Sequence, residues 1–467
     1  MAAPPSRDVA YWFDYNTLCS ACAIQCGNLR NFVRDSSRVA RGQPPNAIRK
    51  ESRAKKAKML YTVIRFFKAE SVPAHLMFTE LTALQTSSRV REAIFLAVGI
   101  CPKAIVAGHI CVDITPAIAP LGHESLSQLM QPGRLIHVGA ADVHTGGCVA
   151  NTGLALQKLG VPTRMVARVG RDAFADLLRG LLAADGADAA LVDDPDRSTS
   201  YSVVIAPPGI DRIFLHNPGA NKGFSETDVP DETLFGATLF HFGYPPMMTA
   251  LCAHEGAELL ALLARVKQRG LITSMDMAAI DPASEAAKIN WPALLTRLLP
   301  SVDFFLPSAE EICFMLDRKR YAEWLTRADG RDVTEILDIQ KDIAPLANQL
   351  LAMGCKVAVI KCGARGMYYA SAASDMPKAE ELSLSAAQWS GLSGFQPSFT
   401  PRRVLSATGA GDTSIAAFLA SALEGCGLAH CVRRAAATGA CCVEAYDALS
   451  GLEPLATLDR RIADGWR

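Results

Sequence analysis

Ser406-Ala407-Thr408-Gly409-Ala410-Gly411-Asp412-Thr413 runs straight into the apolar segment Ile415–Leu423. Gly409, Ala410 and Gly411 leave the backbone bare, so a ligand can come close to the amide N–H groups. The residues that follow are small or helix-forming and include no proline, which predicts a helix opening at about Gly411. A helix start offers unpaired N–H donors and the positive end of the macrodipole, which together make an anion site. Asp412 sits at that start, where it is favoured as the carboxylate and can accept a proton from a hydroxyl or orient it. Amides for a phosphoryl group and a carboxylate for a hydroxyl are the minimum for phosphoryl transfer to an alcohol. Alone, the stretch reads more readily as a glycine-rich turn capped by an aspartate, and the rest of the chain has to tip that balance.

Working outward, Val357–Ile360 is a buried strand, and Lys361-Cys362-Gly363-Ala364-Arg365-Gly366 is a tight turn where backbone can pass a nucleotide. Phe304-Phe305-Leu306 ends at Pro307, and Ser308-Ala309-Glu310-Glu311-Ile312 opens a helix whose acids complement the dipole. Thr273–Met277 carries Asp276, and Leu239–Tyr244 is another strand-to-loop step. Tyr201–Ala206 and Arg212–His216 read as a hairpin, followed by a Pro218-Gly219-Ala220-Asn221 turn that could present Asn221.

Val166–Val169 is a strand followed by a helix over Phe174–Ala184. Gly146-Gly147 opens an amphipathic helix that closes on Gly160, and Asn151 lies one turn in, facing the same space as the bare glycine pair. Ala104–Ala107, Gly108 and His109–Ile114 make a strand, a break and a second strand that carries Asp113. Such strand–helix alternation implies an α/β fold with a parallel sheet covered on both faces. Ligands in such sheets lie beyond the carboxyl ends of the strands, where these glycines and carboxylates fall. No Gly-Lys-Ser/Thr phosphate loop is present, so any ATP is held in another way.

Lysine plus arginine equals aspartate plus glutamate, 47 of each, so no global field favours nucleic acid or an anionic membrane. The fourteen cysteines are scattered, many inside apolar runs, which reads as reduced core cysteine in a cytoplasmic protein. The longest apolar stretch, Ala93–Cys101, is too short to span a bilayer, and the first residues lack the order of a signal peptide.

Residues 1–102 differ from the rest and read as an N-terminal extension, basic and partly helical or disordered. Arg38, Arg41, Arg49, Lys50, Arg53, Lys55, Lys56 and Lys58 form a basic tract that reads as a solvated linker. Cys19, Cys22 and Cys26 have a spacing that a metal could use but lack a second pair. Helical periodicity runs from Lys58 to Val98.

Over residues 103–455 the set of motifs resembles the PfkB family of carbohydrate kinases. Gly146-Gly147-x3-Asn151 with Leu159-Gly160 is similar to the family's first signature, and Thr408-Gly409-Ala410-Gly411-Asp412-Thr413 to its second. Arg168–Phe174, Pro218–Asn221 and Lys361-x-Gly363-x-x-Gly366 also resemble family stretches. The resemblance implies a ribokinase-like, three-layer, parallel-sheet core over 103–467 with a small β lid from about 109–118 and 201–216.

It also implies roles. Asp412 would be the catalytic base, and the amides of Gly409, Ala410, Gly411 and Asp412 the anion hole for the γ-phosphoryl group. Asp113, Gly146, Gly147 and Asn151 would hold the acceptor. Lys361, Gly363, Gly366 and Thr408 would lie along ATP, and Glu311 would help place Mg²⁺. Ser308 stands where the family's Asn-x-x-Glu motif has asparagine, which bears on Mg²⁺ placement. Ser406 stands where many relatives have an aspartate that helps bind a monovalent cation, which leaves potassium activation open. The acceptor expected is a sugar or related polyol, and the lid allows a homodimer. Two other readings stay open: a nucleoside kinase of the same family, and a non-catalytic sugar or nucleotide sensor.

Overall fold

The structure, a computed structural model, describes residues 102–119, 131–207, 213–374, 376–379 and 382–467. The basic tract, the three early cysteines, the 58–98 periodicity and Arg212 lie outside the described residues.

Strand β1, Ala104–Gly108, is buried throughout and shows why this is a three-layer fold. Ala104 and Val106 enter one core and Ile105 and Ala107 the other, as a period of two demands when both faces are covered. Two more strands, β2 (Cys111–Pro116) and β3 (Ala141–Gly146), precede helix α1 (Gly147–Lys158). Next come β4 (Thr163–Val169), α2 (Ala173–Ala184), β5 (Asp188–Asp193), β6 (Tyr201–Ile205) and β7 (Ile213–Asn217). The middle of the chain holds β8 (Leu239–Gly243), α3 (Thr249–Gln268), β9 (Ile272–Met275), α4 (Trp291–Leu298) and β10 (Phe304–Phe305). Then follow α5 (Ala309–Leu316), α6 (Arg318–Ala328), α7 (Ala344–Ala352), β11 (Val357–Lys361) and β12 (Gly366–Ser371). A two-stranded ribbon, β13 (Lys378–Ala379) and β14 (Leu382–Ser383), leads to β15 (Ser393–Pro397). Helices α8 (Ala410–Leu423), α9 (Leu428–Cys442) and α10 (Leu455–Ala463) close the chain.

Among the described residues the main sheet has nine strands in the order β15-β12-β11-β10-β9-β8-β1-β4-β5. All pairs are parallel except those made by β12, which runs against both neighbours. The expected parallel sheet is therefore present with one reversed strand near its edge. A tight turn at Gly363–Arg365 lets β12 return directly beside β11 without a crossover helix.

One face of the sheet is covered by α1, α2, α8, α9 and α10, the other by α3 to α7. On the first face Phe418 of α8 sits edge-on to Phe304 (5.4 Å) and Trp389 (6.1 Å), all three fully enclosed. Burying such a side chain contributes roughly 1.5–3 kcal/mol.

A separate four-stranded sheet, β3-β2-β6-β7, forms the lid. The pieces near 109–118 and 201–216 supply three of its strands. The fourth, β3, carries little strand signal because Ala-Asp-Val-His-Thr-Gly lacks a run of branched apolar residues; pairing with β2 makes it a strand.

Candidate active site

Strands β1, β8, β9, β10 and β11 end on one edge, and the residues just past them gather there with the start of α8. That helix opens at Ala410, one residue before the expected position, with Gly409 as its N-cap in the left-handed region (φ 73°). A side chain at Gly409 would be strained by that φ and would meet Ala448 Cβ at 2.4 Å, so glycine is required twice over. The Gly411 backbone carries no Cβ, and Lys361 Nζ lies 3.5 Å from where one would be. An ammonium and a helix N-terminus thus converge on one point, the electrostatics of an anion site.

Asp412 is 3% exposed and held by two donors. Asn151 Nδ2 donates to Oδ2 at 2.8 Å and the Tyr244 hydroxyl donates to Oδ1 at 2.8 Å. Burial pushes its carboxyl above the ordinary range, while the Asn151 bond, Lys361 and the Tyr244 bond pull it back. Asn151 reaches it from α1, which starts at Gly147 (φ 84°); a Cβ there would run into His109 Nδ1 at 2.5 Å. Asn151, expected to hold the acceptor, donates through its amide to Asp412.

Tyr244 follows β8 in the left-handed region (φ 63°, ψ 43°), a conformation that costs a non-glycine residue about 1–3 kcal/mol. Its ring packs 5.7 Å from His109, whose other neighbour is His216 at 5.1 Å. Among the described residues, both ring nitrogens of the enclosed His109, and Nε2 of His216, find no hydrogen-bond partner. Burial, and secondarily the nearby His216, lowers the His109 pKa to about 3; burial also lowers that of His216, so both rings are neutral.

Asp276, just past β9, is fully buried, with Lys361 Nζ 3.9 Å from Oδ2 and His241 Nε2 3.7 Å from Oδ1. Among the described residues neither carboxylate oxygen has a side-chain hydrogen-bond partner, and the Tyr244 backbone is its near polar neighbour. Burial pushes its carboxyl well above the usual range; Lys361 opposes this, and Asp412 and Glu311 reinforce it. Glu311 closes a capping box on α5, accepting from Ser308 N at 2.7 Å while Glu311 N donates to Ser308 Oγ at 3.2 Å. Its carboxyl is raised by burial and held down chiefly by Lys361.

Across the site, Asp113 on β2 accepts from Cys111 Sγ at 3.2 Å, and any Cβ at Gly146 would strike its Oδ2. Burial raises the Asp113 carboxyl, with the Cys111 and Ser202 contacts opposing.

The structure therefore gathers Asp412, Gly409, Ala410, Gly411, Asn151, Gly146, Gly147, Asp113, Lys361 and Glu311. Gly363 and Gly366 have structural neighbours that already require glycine: Thr334 Oγ1 for the first, and the backbone of Gln396–Ser398 for the second. Thr408 bonds its amide to Ser406 Oγ at 3.1 Å, so the Ser406 hydroxyl serves its own turn. Asn221 is not presented to a ligand: its side chain clamps the backbone N–H and C=O of Ile110 at 3.2 and 2.8 Å, fixing the break between β1 and β2. Asp276 is marked in the sequence as a strand-end carboxylate without a role, and Tyr244 and His109 only as members of strand segments. The signal available was position, since each lies within a residue or so of a strand's carboxyl end.

The pfkB family carbohydrate kinase model matches residues 107–454. Fructokinase-2 of Oryza sativa subsp. japonica is 24% identical over 275 residues, covering 57% of this chain and 70% of that protein. The ribokinase of Arabidopsis thaliana is 24% identical over 362 residues, 75% of this chain and 78% of that one. Among solved structures, Arabidopsis thaliana ribokinase complexed with ribose and ATP superposes with a TM-score of 0.55 at 21% identity, covering 77% of this chain and 98% of its own. An E. coli protein crystallised with ATP and Mg²⁺ gives 0.56 at 22% identity, covering 78% and 99%. These structural likenesses establish the ribokinase-like fold.

Proposed function

The chain belongs to the PfkB family of carbohydrate kinases and is a sugar kinase; from that premise we propose that it transfers the γ-phosphoryl group of ATP to a primary hydroxyl of an uncharged sugar or related polyol. The observation that carries this reading is Asp412: a buried carboxylate, held by two donors, at the start of a helix whose bare amides meet Lys361.

The acceptor oxygen bonds to the γ-phosphorus as the bond to the β–γ bridging oxygen breaks. ADP leaves with that electron pair, and the hydroxyl proton passes to Asp412. The amides of Gly409 to Asp412 and the Lys361 ammonium face the charge on the transferred group. Lys361, Gly363, Gly366 and Thr408 border the nucleotide side, and Asp113 with the Gly146-Gly147 backbone the acceptor side. Asp276 and Glu311 offer hard oxygen donors suited to Mg²⁺, which takes one or two carboxylates alongside phosphate and water. The oxygens of Asp276, which no described side chain hydrogen-bonds, fit that need, and among the described residues no group of three or more His, Cys, Asp or Glu forms a metal cage of its own. Bound there, Mg²⁺ would neutralise phosphate charge.

An uncharged polyol is favoured over a nucleoside by the ring cluster. His216, His109 and Tyr244 pack on one another, leaving polar edges rather than a shelf for a base. A phosphorylated acceptor needs cations, and the described Arg168 and Arg197 are already tied to Asp194, with Arg168 also on Asp228. The unit that does this work begins near Lys103, with β3 joining the expected lid pieces. Ile213, Phe214 and Leu215 on the lid's edge strand are 43%, 44% and 50% exposed, and we assign that edge to a second copy of the chain. All ten described cysteines are free thiols, which suits a reducing cytoplasm. Among the described residues no helix is long and apolar enough to cross a membrane.

A panel of neutral sugars, sugar phosphates and nucleosides, scored by ADP release, tests the acceptor. Turnover is expected with a neutral sugar; a nucleoside turning over faster than every sugar would overturn this reading.

A further inference from the structure

We propose that Tyr244 is a positioning residue for the proton acceptor: its phenol fixes the plane of the Asp412 carboxylate and keeps that group ionised for catalysis. This rests on Asp412 being the base.

The backbone argument comes first. Gly243 and Tyr244 form the hinge where β8 ends. A Cβ at Gly243 would lie 2.3 Å from Cys148 Sγ and 2.9 Å from Asp276 Oδ1, so the chain there passes hard against the site. Tyr244 then adopts a left-handed conformation disfavoured for any side chain, and Pro245-Pro246 follows at once, limiting how the chain can relax. That conformation sends the ring in over His109 and the hydroxyl onto Asp412 Oδ1. A tyrosine that only filled space would not need a left-handed backbone, since packing is available to an ordinary rotamer on an ordinary strand end.

The second argument is the arrangement of donors. Asn151 on α1 holds one carboxylate oxygen and Tyr244 at the end of β8 the other, each at 2.8 Å. With one donor on each oxygen the carboxylate cannot rotate, yet each oxygen keeps a further lone pair for an incoming hydroxyl.

The third is charge. Asp412 is faced by Asp276 after β9, Glu311 on α5, Asp113 on β2, and the thiols Cys148 on α1 and Cys442 on α9; Lys361 on β11 is the cation. In such a neighbourhood a carboxylate tends to take up a proton, which would abolish it as a base. A neutral donor offsets that tendency without adding a charge to the acceptor pocket, and the phenol qualifies because burial keeps it protonated.

The test compares wild type with Tyr244→Phe and Asp412→Asn, measuring kcat and kcat/KM against pH with the best sugar of the panel, and nucleotide affinity by calorimetry. Tyr244→Phe keeps the ring on His109 and removes only the hydroxyl. It is expected to lower kcat about tenfold to a hundredfold and to move the acid limb of the profile to higher pH, with ATP affinity unchanged. An unshifted acid limb with near-normal kcat in Tyr244→Phe overturns the proposal, provided that Asp412→Asn is inactive. An active Asp412→Asn would instead remove the base assignment itself. If Tyr244→Phe lowers melting temperature and rate together without a pH shift, the tyrosine is merely structural and the proposal falls.

Discussion

Asn151 Nδ2 lies 2.8 Å from Asp412 Oδ2, joining the first turns of two helices whose contacting residues are 261 positions apart in the chain. The two family signatures thus meet in one hydrogen bond. Helix α1 holds the carboxylate at the head of α8 through this bond, besides any contact it makes with a ligand.

Replacing Asn151 by alanine removes a hydrogen bond to a charged group, a loss of about 1.5–3 kcal/mol. If its main task is to hold Asp412, kcat falls about tenfold to a hundredfold and acceptor KM changes little. Steady-state kinetics decide: a raised acceptor KM with unchanged kcat would return Asn151 to the role of sugar ligand.

The activity of the wild-type enzyme is expected to fall on its acid side at a pH above the ordinary aspartate value of about 3.9. Burial is the largest influence on Asp412 and raises its pKa, so the ionised base is lost while the pH is still above that value. A pH–rate profile whose acid limb lies at or below the ordinary value would show that the limiting group is not this carboxylate.

Asp276→Asn should make the protein more stable and less active. The raised pKa means that the folded state binds a proton more readily than the unfolded one. Stability contributed by this group therefore falls as pH rises from the unfolded value through the folded value, so burying Asp276 costs stability above the unfolded value. Asparagine removes that cost, so melting temperature rises at neutral pH, with the gain vanishing in acid. Turnover falls by about tenfold or more if the carboxylate serves Mg²⁺ and phosphate. Scanning calorimetry at two pH values, alongside a Mg²⁺ titration of the rate, reads both effects.

Phe418→Ala should destabilise the fold by about 3–5 kcal/mol. Phe418 is fully enclosed, and its edge contacts with Phe304 and Trp389 join α8 to the sheet. Denaturant unfolding measures it; a change under about 1 kcal/mol would mean that this corner repacks.

Local chemistry made much of this protein legible in its sequence. The glycine-alanine-glycine-aspartate turn, the apolar helix after it, and short strands alternating with helices each follow from backbone sterics and hydrophobic period, which neighbouring residues alone specify. Asp412, Gly409, Asn151 and Lys361 were visible for that reason. What the tertiary structure decided is whatever depends on contacts across the sheet. It turned Asn221 from a presented side chain into a clamp on Ile110, and joined Asn151 to Asp412. It made a lid strand of β3, and brought Tyr244 and Asp276 to the same carboxylate cluster from the ends of separate strands. Burial and charge proximity are sums over atoms distant in the chain, so no spacing rule along it could have ranked those two residues above any other tyrosine or aspartate.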